Sequence, residues 1–154
     1  MTQDTAKDPM IDPYVQAALG KKALGLVVLD VRKLTSIADY FIICSGRSNR
    51  QVTAIAEHIQ LTLKAAGIRP LSVEGVKGGH WVLMDYGHVI IHIFHDSDRN
   101  FYDLEGLWAD ARRIQTPEMI AHAAGTPGPV ESETSPSSES ADPAAEDMEA
   151  QNGI

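Results

Sequence analysis

The clearest pattern along the chain is a run of apolar residues at helical spacing, which would share one face of a helix: Val52, Ile55, Ala56, Ile59, Leu63 and Ala66. Ser48 and Gln51 precede this run with the spacing of a capping box. In such a box the serine accepts from the amide of Gln51, and the glutamine side chain reaches back to the amide of Ser48. Gly67 follows as a C-terminal stop. The pattern therefore predicts a helix that begins after Ser48 and ends before Gly67.

Short apolar stretches, several of them rich in β-branched residues, predict five strands, at residues 24–31, 40–44, 71–73, 81–85 and 89–94. The last two form a predicted hairpin about Tyr86 and Gly87. Its second arm is apolar on successive residues, which is typical of a strand covered on both faces. Strands interleaved with helices in this way indicate an α/β domain.

Two further helices flank the strands. Asp12 as N-cap and Pro13 as the first helical residue predict one helix that ends near Ala23. Apolar residues at helical intervals predict a second helix over residues 101–113, which closes the domain after a polar loop at residues 95–100.

The net charge of −8 is concentrated at one end of the chain. Residues 1–115 hold all 13 Lys and Arg and 13 of the 21 Asp and Glu, whereas residues 116–154 hold the other eight acids and no base. From Gly125 onward the chain is mainly Pro, Ser, Glu and Ala, a composition that buries too little apolar surface to offset its ordering entropy. We therefore expect a flexible N-terminus at 1–11, an α/β domain at 12–115 and an acidic disordered tail at 116–154.

The composition also argues against some classes of function. A domain without net charge lacks the basic stripe of a duplex nucleic-acid binder, so we expect no direct nucleic-acid readout. No apolar stretch approaches the roughly 20 residues that a membrane span needs, and the polar N-terminus resembles neither a signal peptide nor a transit peptide. A cytoplasmic protein without a membrane partner is expected. Cys44, the only cysteine, lies in an apolar strand and is predicted to be a small buried hydrophobe.

A metal-dependent nucleotidyltransferase is the enzymatic alternative. The turn at residues 45–48 opens a helix and could hold phosphate on free amides, and such enzymes add acidic pairs on neighbouring strands that hold two Mg²⁺ ions. That pair is missing here, since Asp85 stands alone on its strand and Asp96 and Asp98 lie beyond the next strand. A capped helix entry accounts for the turn equally well. We therefore predict a binding protein rather than an enzyme, and we assign no catalytic residue, metal ligand or cofactor.

Two tryptophans are the candidates for an interface. Trp and Arg side chains anchor protein interfaces, and truncating one at a hot spot often costs roughly 2 kcal/mol or more. Trp108 shares helical spacing with Leu104 and Ala111, which favours a place in the core. Trp81 follows a glycine-rich loop at residues 74–80. For this residue the sequence favours a place in the core and a place in an interface equally.

Several blocks of the sequence, in order, resemble the Iojap-related ribosomal silencing factors. The blocks are Asp39-Tyr40-Phe41-Ile42-Ile43-Cys44-Ser45-Gly46-Arg47-Ser48 with Gln51, Glu74-Gly75, Trp81-Val82-Leu83-Met84-Asp85-Tyr86-Gly87, Val89-Ile90-Ile91-His92-Ile93-Phe94, and Arg99-Asn100-Phe101-Tyr102-Asp103-Leu104-Glu105-Gly106-Leu107-Trp108. The resemblance covers roughly residues 12–113. One departure is His88, which stands where the family usually has an acid.

The resemblance implies a mixed β-sheet of about five strands packed with helices, similar to a minimal nucleotidyltransferase-like fold. It also implies a function. Members of the family bind the fourteenth protein of the large ribosomal subunit on the face that meets the small subunit, and so repress translation when nutrients are short. A domain of this size on that face would block subunit joining sterically, since a standard interface buries about 800 Å² per partner.

The contact patch that the resemblance implies comprises polar and aromatic members of the matched blocks: Asp39, Trp81, Asp85, His92, Arg99, Tyr102, Glu105 and Trp108. Some of these are expected to belong to the core. Whether the protein also forms a homodimer is left open by the sequence.

Overall fold

The computed structural model describes residues 3–4, for their backbone, and residues 10–123. The chain divides into two compact units, residues 1–120 and 121–154, and the described part of the second unit is 121–123. Most of the predicted flexible N-terminus and all of the predicted acidic tail beyond residue 123 therefore lie outside the described residues.

Seven strands in the described part of the chain form one mixed sheet: β1 (Gln3–Asp4), β2 (Leu24–Asp30), β3 (Tyr40–Gly46), β4 (Ser72–Glu74), β5 (Trp81–Asp85), β6 (Val89–His95) and β7 (Arg112–Ile114). Their order across the sheet is β1-β7-β2-β3-β6-β5-β4. The β1–β7 and β3–β6 pairs are parallel, and the other pairs are antiparallel. The predicted mixed α/β fold is confirmed, with more strands than the five or so expected.

Five helices accompany the sheet within the described residues: α1 (Asp12–Leu19), α2 (Asn49–Ala65), α3 (Asp96–Tyr102), α4 (Leu104–Leu107) and α5 (Pro117–Ala123). Over the same residues, none of the helices combines the length and the apolar character that crossing a bilayer requires.

Helix α2 follows the sequence pattern closely. Its apolar stripe is buried from Val52 to Leu63, with Val52, Ile55 and Ile59 fully enclosed. Ala66, the last predicted member of the stripe, is the exposed C-cap residue. Ser48 is the N-cap, and its hydroxyl accepts from the amide of Gln51 at 3.0 Å, as predicted. The other half of the capping box is wrong, because the Gln51 side chain accepts from the amide of Arg47 at 2.7 Å and not from that of Ser48. The glutamine therefore caps the residue one position further out.

Helix α1 differs from its prediction at both ends. Ile11, not Asp12, is the N-cap, and its carbonyl accepts from the amides of Tyr14 and Val15. The helix ends at Leu19, four residues before the predicted Ala23. Lys22 has a left-handed backbone with φ of 60°, which turns the chain out of the helix and into β2.

The predicted helix over residues 101–113 is wrong, and so is the loop before it. The supposed loop is α3, which begins where the His95 ring accepts from the amide of Ser97 at 3.2 Å. Asp103 then takes a left-handed conformation, with φ of 48°, and caps the short helix α4. The last residues of the predicted helix instead form the start of β7, which pairs with β2 through long-range backbone hydrogen bonds.

The chain does not lose regular structure at Thr116, where the sequence pattern dissolves. Thr116 is fully buried, and its hydroxyl accepts from the amide of Met119 at 3.2 Å at the start of α5. Met119 belongs to the main apolar core. The predicted start of the tail at residue 116 therefore falls at the N-terminal end of a helix.

The sheet has two unlike faces, because side chains alternate along each strand. One face is packed against α1 and α2 and carries the larger core, which includes Ile42, Met84 and Ile91. The opposite face carries a smaller apolar cluster that includes Phe41 and Phe94, with Leu104, Trp108 and Ala111 packed against it from the segment after α3.

Candidate protein-binding site

A continuous series of aromatic rings crosses the face of the sheet opposite α1 and α2. We call it the aromatic row, and its members in spatial order are Phe101, Tyr102, Trp81, His92, Phe41 and Trp108. Successive ring centroids lie 5.1, 4.9, 6.0, 5.2 and 5.0 Å apart. Distances between 4.5 and 7 Å are typical of favourable ring contacts. The row thus joins β5, β6 and β3 to the two segments that frame them, α3 and the residue that follows α4.

One end of the row is open to solvent. Phe101 is 80% exposed and Tyr102 is 48% exposed. At the other end Leu107, which directly precedes Trp108, is 76% exposed. Trp81 and Trp108 are partly exposed. Large apolar side chains grouped together at a surface indicate an interaction site more strongly than single exposed ones do.

His92 occupies the middle of the row. It lies on β6, opposite Ile43 of β3 on one side and Leu83 of β5 on the other. The side chain is buried, and the indole of Trp81 donates to its Nδ1 at 3.2 Å. Burial lowers the pKa of His92 to about 4, so the ring is neutral near pH 7.

Arg99 and Glu105 hold the exposed end of the row in place. Their side chains form an ion pair of 2.8 Å, and the guanidinium also donates to the carbonyls of Leu24 and Gly25 at the start of β2. A further hydrogen bond reaches the hydroxyl of Ser45 on β3 at 3.3 Å. Arg99 is therefore a structural anchor of α3 and α4 rather than a side chain free to contact a partner.

Of the two remaining acids of the predicted patch, Asp85 stabilises a turn through its side chain and Asp39 is bonded through its main chain. The carboxylate of Asp85 accepts from the amide of Gly87 at 2.8 Å and so stabilises the β5–β6 hairpin. Asp39 enters β3 with its amide bonded to the carbonyl of His88 and its carbonyl bonded to the amide of Val31. Of the eight predicted patch residues, the row therefore includes Trp81, His92, Tyr102 and Trp108.

Phe101 and Leu107 are prominent in the patch and were not selected from the sequence. The predicted helix over residues 101–113 put Leu107 on its apolar side, which implied a buried position. The signal that could have located both residues is Asp103, which stands three residues before Gly106. Its carboxylate accepts a hydrogen bond from the amide of Gly106 at 3.2 Å. An N-cap at that point breaks the helix in two and turns Leu107 to the surface.

The turn before α2, which suggested nucleotidyl transfer, is occupied by the Ser48 cap and the Gln51 side chain. A shallow groove of about 460 Å³ beside it is lined by Asn49, Arg50, Thr53, Ala54, Glu57 and Lys77. In the described residues no three His, Cys, Asp or Glu side chains are grouped closely enough to hold a metal ion. Cys44 is fully buried, as predicted, and burial raises its pKa to about 12.

Comparison with known proteins gives consistent matches. The family described as "Ribosomal silencing factor during starvation" matches residues 3–152. A ribosomal silencing factor of Halalkalibacterium halodurans is 39% identical over 107 residues, which cover 70% of this chain and 92% of that protein. The chloroplastic protein Iojap of Zea mays is 33% identical over 66% of this chain and 44% of its own length. The crystal structure of a Chromobacterium violaceum protein, 37% identical, superposes with a TM-score of 0.64 over 68% of this chain and 88% of that one.

Proposed function

Since the chain belongs to the family of ribosomal silencing factors, we propose that it binds the fourteenth protein of the large ribosomal subunit and blocks subunit joining. In this way it represses translation in the cytoplasm when nutrients are limiting. The proposal requires a binding surface and steric bulk, and it involves no catalytic step and no cofactor. Family membership confirms the resemblance found in the sequence, whereas the partner and the mechanism are the parts to be tested.

The observation that carries the proposal is the aromatic row with its open end. Trp and Tyr are enriched among the residues that dominate interface energies, because they bury a large area at a low entropic cost. Here Trp81 and Tyr102 stand side by side, with their ring centroids 4.9 Å apart. Exposed Phe101 contacts Tyr102, with ring centroids 5.1 Å apart, and exposed Leu107 directly precedes Trp108 at the other end of the row. We assign the partner contact to this patch.

The charge around the patch fits a ribosomal protein. Residues 96–110, which include α3 and α4, contain five acids and one base, a local net charge of −4. A protein held among RNA phosphates needs Lys and Arg on its surface, so an acidic rim offers it a complementary potential. Such complementarity mainly raises the association rate and the specificity. The domain as a whole is neutral, and this segment is where its acids are concentrated.

Steric exclusion follows from size. A standard interface buries about 800 Å² on each partner, and this is a small fraction of the surface of a folded domain. The rest of the domain would then project from the large subunit into the space that the small subunit must occupy. The Arg99 anchor keeps the docking face rigid, because it ties α3 and α4 to β2 and β3.

Sedimentation with separated bacterial ribosomal subunits tests the proposal. We expect the protein to travel with the large subunit and to reduce formation of the joined ribosome when the small subunit is added. Leu107→Ser and Phe101→Ser should each weaken this binding by about tenfold, which corresponds to about 1.4 kcal/mol. Leu61→Ser is the matched control, since Leu61 is an exposed leucine, 67% accessible, on α2.

Two results would contradict the proposal. One is a wild-type protein that fails to sediment with the large subunit, or that does so without affecting subunit joining. The other is equal weakening by Leu107→Ser and Leu61→Ser in folded proteins, which would mean that the contact lies away from the aromatic row. Pull-down with the purified fourteenth ribosomal protein separates a direct contact from binding to another part of the subunit.

A further inference from the structure

His92 has one ring nitrogen that the fold uses and one that it does not. Nδ1 accepts the hydrogen bond from the Trp81 indole. Nε2 is buried and has no hydrogen-bond partner among the described residues. The residue is only 5% exposed, and its ring lies between the Trp81 and Phe41 rings of the aromatic row.

The Trp81 contact determines which nitrogen carries the proton. An indole N–H can only donate, so Nδ1 of His92 must be the unprotonated, accepting nitrogen. In the neutral ring the hydrogen is then on Nε2. The unused atom is therefore a hydrogen-bond donor, held in one orientation by Trp81 on one side and by the Phe41 ring, at 83° to it, on the other.

A buried donor without a partner is rare in folded proteins, because it loses its hydrogen bond to water and gains nothing. An apolar residue at this position would avoid that cost, and the flanking strand positions show that the sheet accepts one. On the same face, the neighbouring β6 positions are Ile90 and Phe94, both in the apolar cluster. The Nε2 donor therefore lacks an acceptor among the described residues, and an acceptor that satisfies it has to come from outside the domain.

We infer that the Nε2–H of His92 donates a hydrogen bond to an uncharged carbonyl oxygen of the protein that docks on the aromatic row, and that this protein displaces a covering side chain to reach the buried atom. This rests on the proposed function, since the row is the docking surface assigned there. The bond would give the apolar contact a fixed register, because one acceptor must meet one buried donor among aromatic rings.

An uncharged oxygen suits this position better than a carboxylate. A carboxylate that enters a ring-lined site needs a cation beside it. The guanidinium of Arg99, on the adjoining helix α3, is committed to Glu105, to two carbonyls and to Ser45. A main-chain carbonyl, or the amide oxygen of Asn or Gln, meets the donor without that requirement.

Three substitutions of His92 distinguish the role of Nδ1 from the role of Nε2. His92→Gln places an amide donor near the Nε2 position and gives up the acceptor for Trp81. His92→Asn keeps an acceptor near the Nδ1 position and loses the Nε2 donor. His92→Phe loses both and leaves an aromatic ring of similar size. A role confined to the fold would make His92→Asn the mildest change, because it preserves the Trp81 bond.

Binding to purified large ribosomal subunits is the measurement, with denaturant unfolding as the check on folding. We expect His92→Asn and His92→Phe to bind about tenfold more weakly than wild type, and His92→Gln to stay within about threefold of it. His92→Phe should resist denaturant about as well as wild type, because it removes one unpaired buried donor but leaves the Trp81 indole without its acceptor. Stable folding combined with lost binding is the result that a purely structural histidine would not produce.

The outcomes distinguish this inference from the proposed function. If wild type itself does not bind large subunits, the proposed function fails and the inference fails with it. If wild type binds and His92→Asn or His92→Phe binds equally well, the inference alone is overturned. It is also overturned if His92→Gln loses as much affinity as His92→Asn while both proteins remain folded.

Discussion

The guanidinium of Arg99 and the carboxylate of Glu105 form an ion pair of 2.8 Å that joins α3 to α4, although a left-handed residue interrupts the helix between them. Both side chains are largely buried, at 14% and 23% exposure. The same guanidinium also reaches the carbonyl of Gly25, whose backbone is left-handed, with φ of 56°. One side chain thus ties the segment that carries the exposed end of the aromatic row to the sheet, in addition to the packing of Leu104 and Trp108.

Replacing Arg99 should destabilise the domain. Arg99→Met leaves Glu105 without its cation and two carbonyls without donors, and we expect a loss of roughly 2–4 kcal/mol in the free energy of unfolding. Urea denaturation followed by tryptophan fluorescence measures it. The control is Arg50→Met, at an exposed position on α2, which should change the unfolding free energy by less than about 0.5 kcal/mol. Equal effects of the two substitutions would refute the anchoring role.

Gly75 and Gly78 lie in one loop and should respond differently to alanine. Gly75 has φ of 86°, and a Cβ there would overlap the carbonyl oxygen of Trp81. Gly75→Ala should therefore cost at least about 2 kcal/mol of stability. At Gly78 the nearest atom to an added Cβ is 3.7 Å away, so Gly78→Ala should lie within about 1 kcal/mol of wild type. Thermal unfolding of both variants provides the comparison.

Stability should fall as the pH drops, because of His92. Its pKa is about 4 in the folded protein and 6.5 without the effect of burial, so the unfolded chain takes up the proton first. The folded state therefore loses stability between pH 6.5 and pH 4, by roughly 3 kcal/mol in all. The difference in unfolding free energy between wild type and His92→Phe, measured across this range, isolates the contribution. A constant difference would show that His92 does not titrate in this way.

Cys44 should be unreactive in the native protein. Its side chain is fully buried, and burial raises the pKa of the thiol to about 12, with a smaller opposing effect from Arg99. The thiolate is the reactive form, so almost none is present near neutral pH. We expect a chromogenic disulfide reagent to label the thiol only after denaturation. Rapid labelling under native conditions would be inconsistent with this burial.

The elements that the sequence predicted well are those with a strong local cause. The apolar stripe of α2 and its Ser48 cap act within a few residues of one another, and so do the apolar residues of the β5–β6 hairpin and the turn at Gly87. For such elements the choice between helix, strand and turn is made by neighbouring side chains. The resemblance on the matched blocks identified the family, because several blocks in register are more specific than one motif.

The segment between His95 and Ile114 shows where local pattern is insufficient. Leu104, Leu107 and Trp108 have helical spacing, which favoured one long helix. In the folded protein, pairing of β7 with β2 extends the last residues, and the Arg99–Glu105 pair folds α4 back after Asp103. The β7–β2 pairing joins residues far apart in the chain, so no window of neighbouring residues contains it. The Arg99–Glu105 pair spans only six residues, but it forms only because the chain turns at Asp103.

For the candidate site, too, some features follow from the sequence and others only from the tertiary structure. Composition and pattern alone established an α/β domain, the buried Cys44, and Trp81 as a residue that could serve either core or surface. The tertiary structure decided that Arg99 and Glu105 are anchors, that Phe101 and Leu107 are exposed, and that Trp81 meets His92. These outcomes depend on which strands are neighbours and which face the helices cover. Those arrangements are set by the packing of the whole sheet rather than by any single segment.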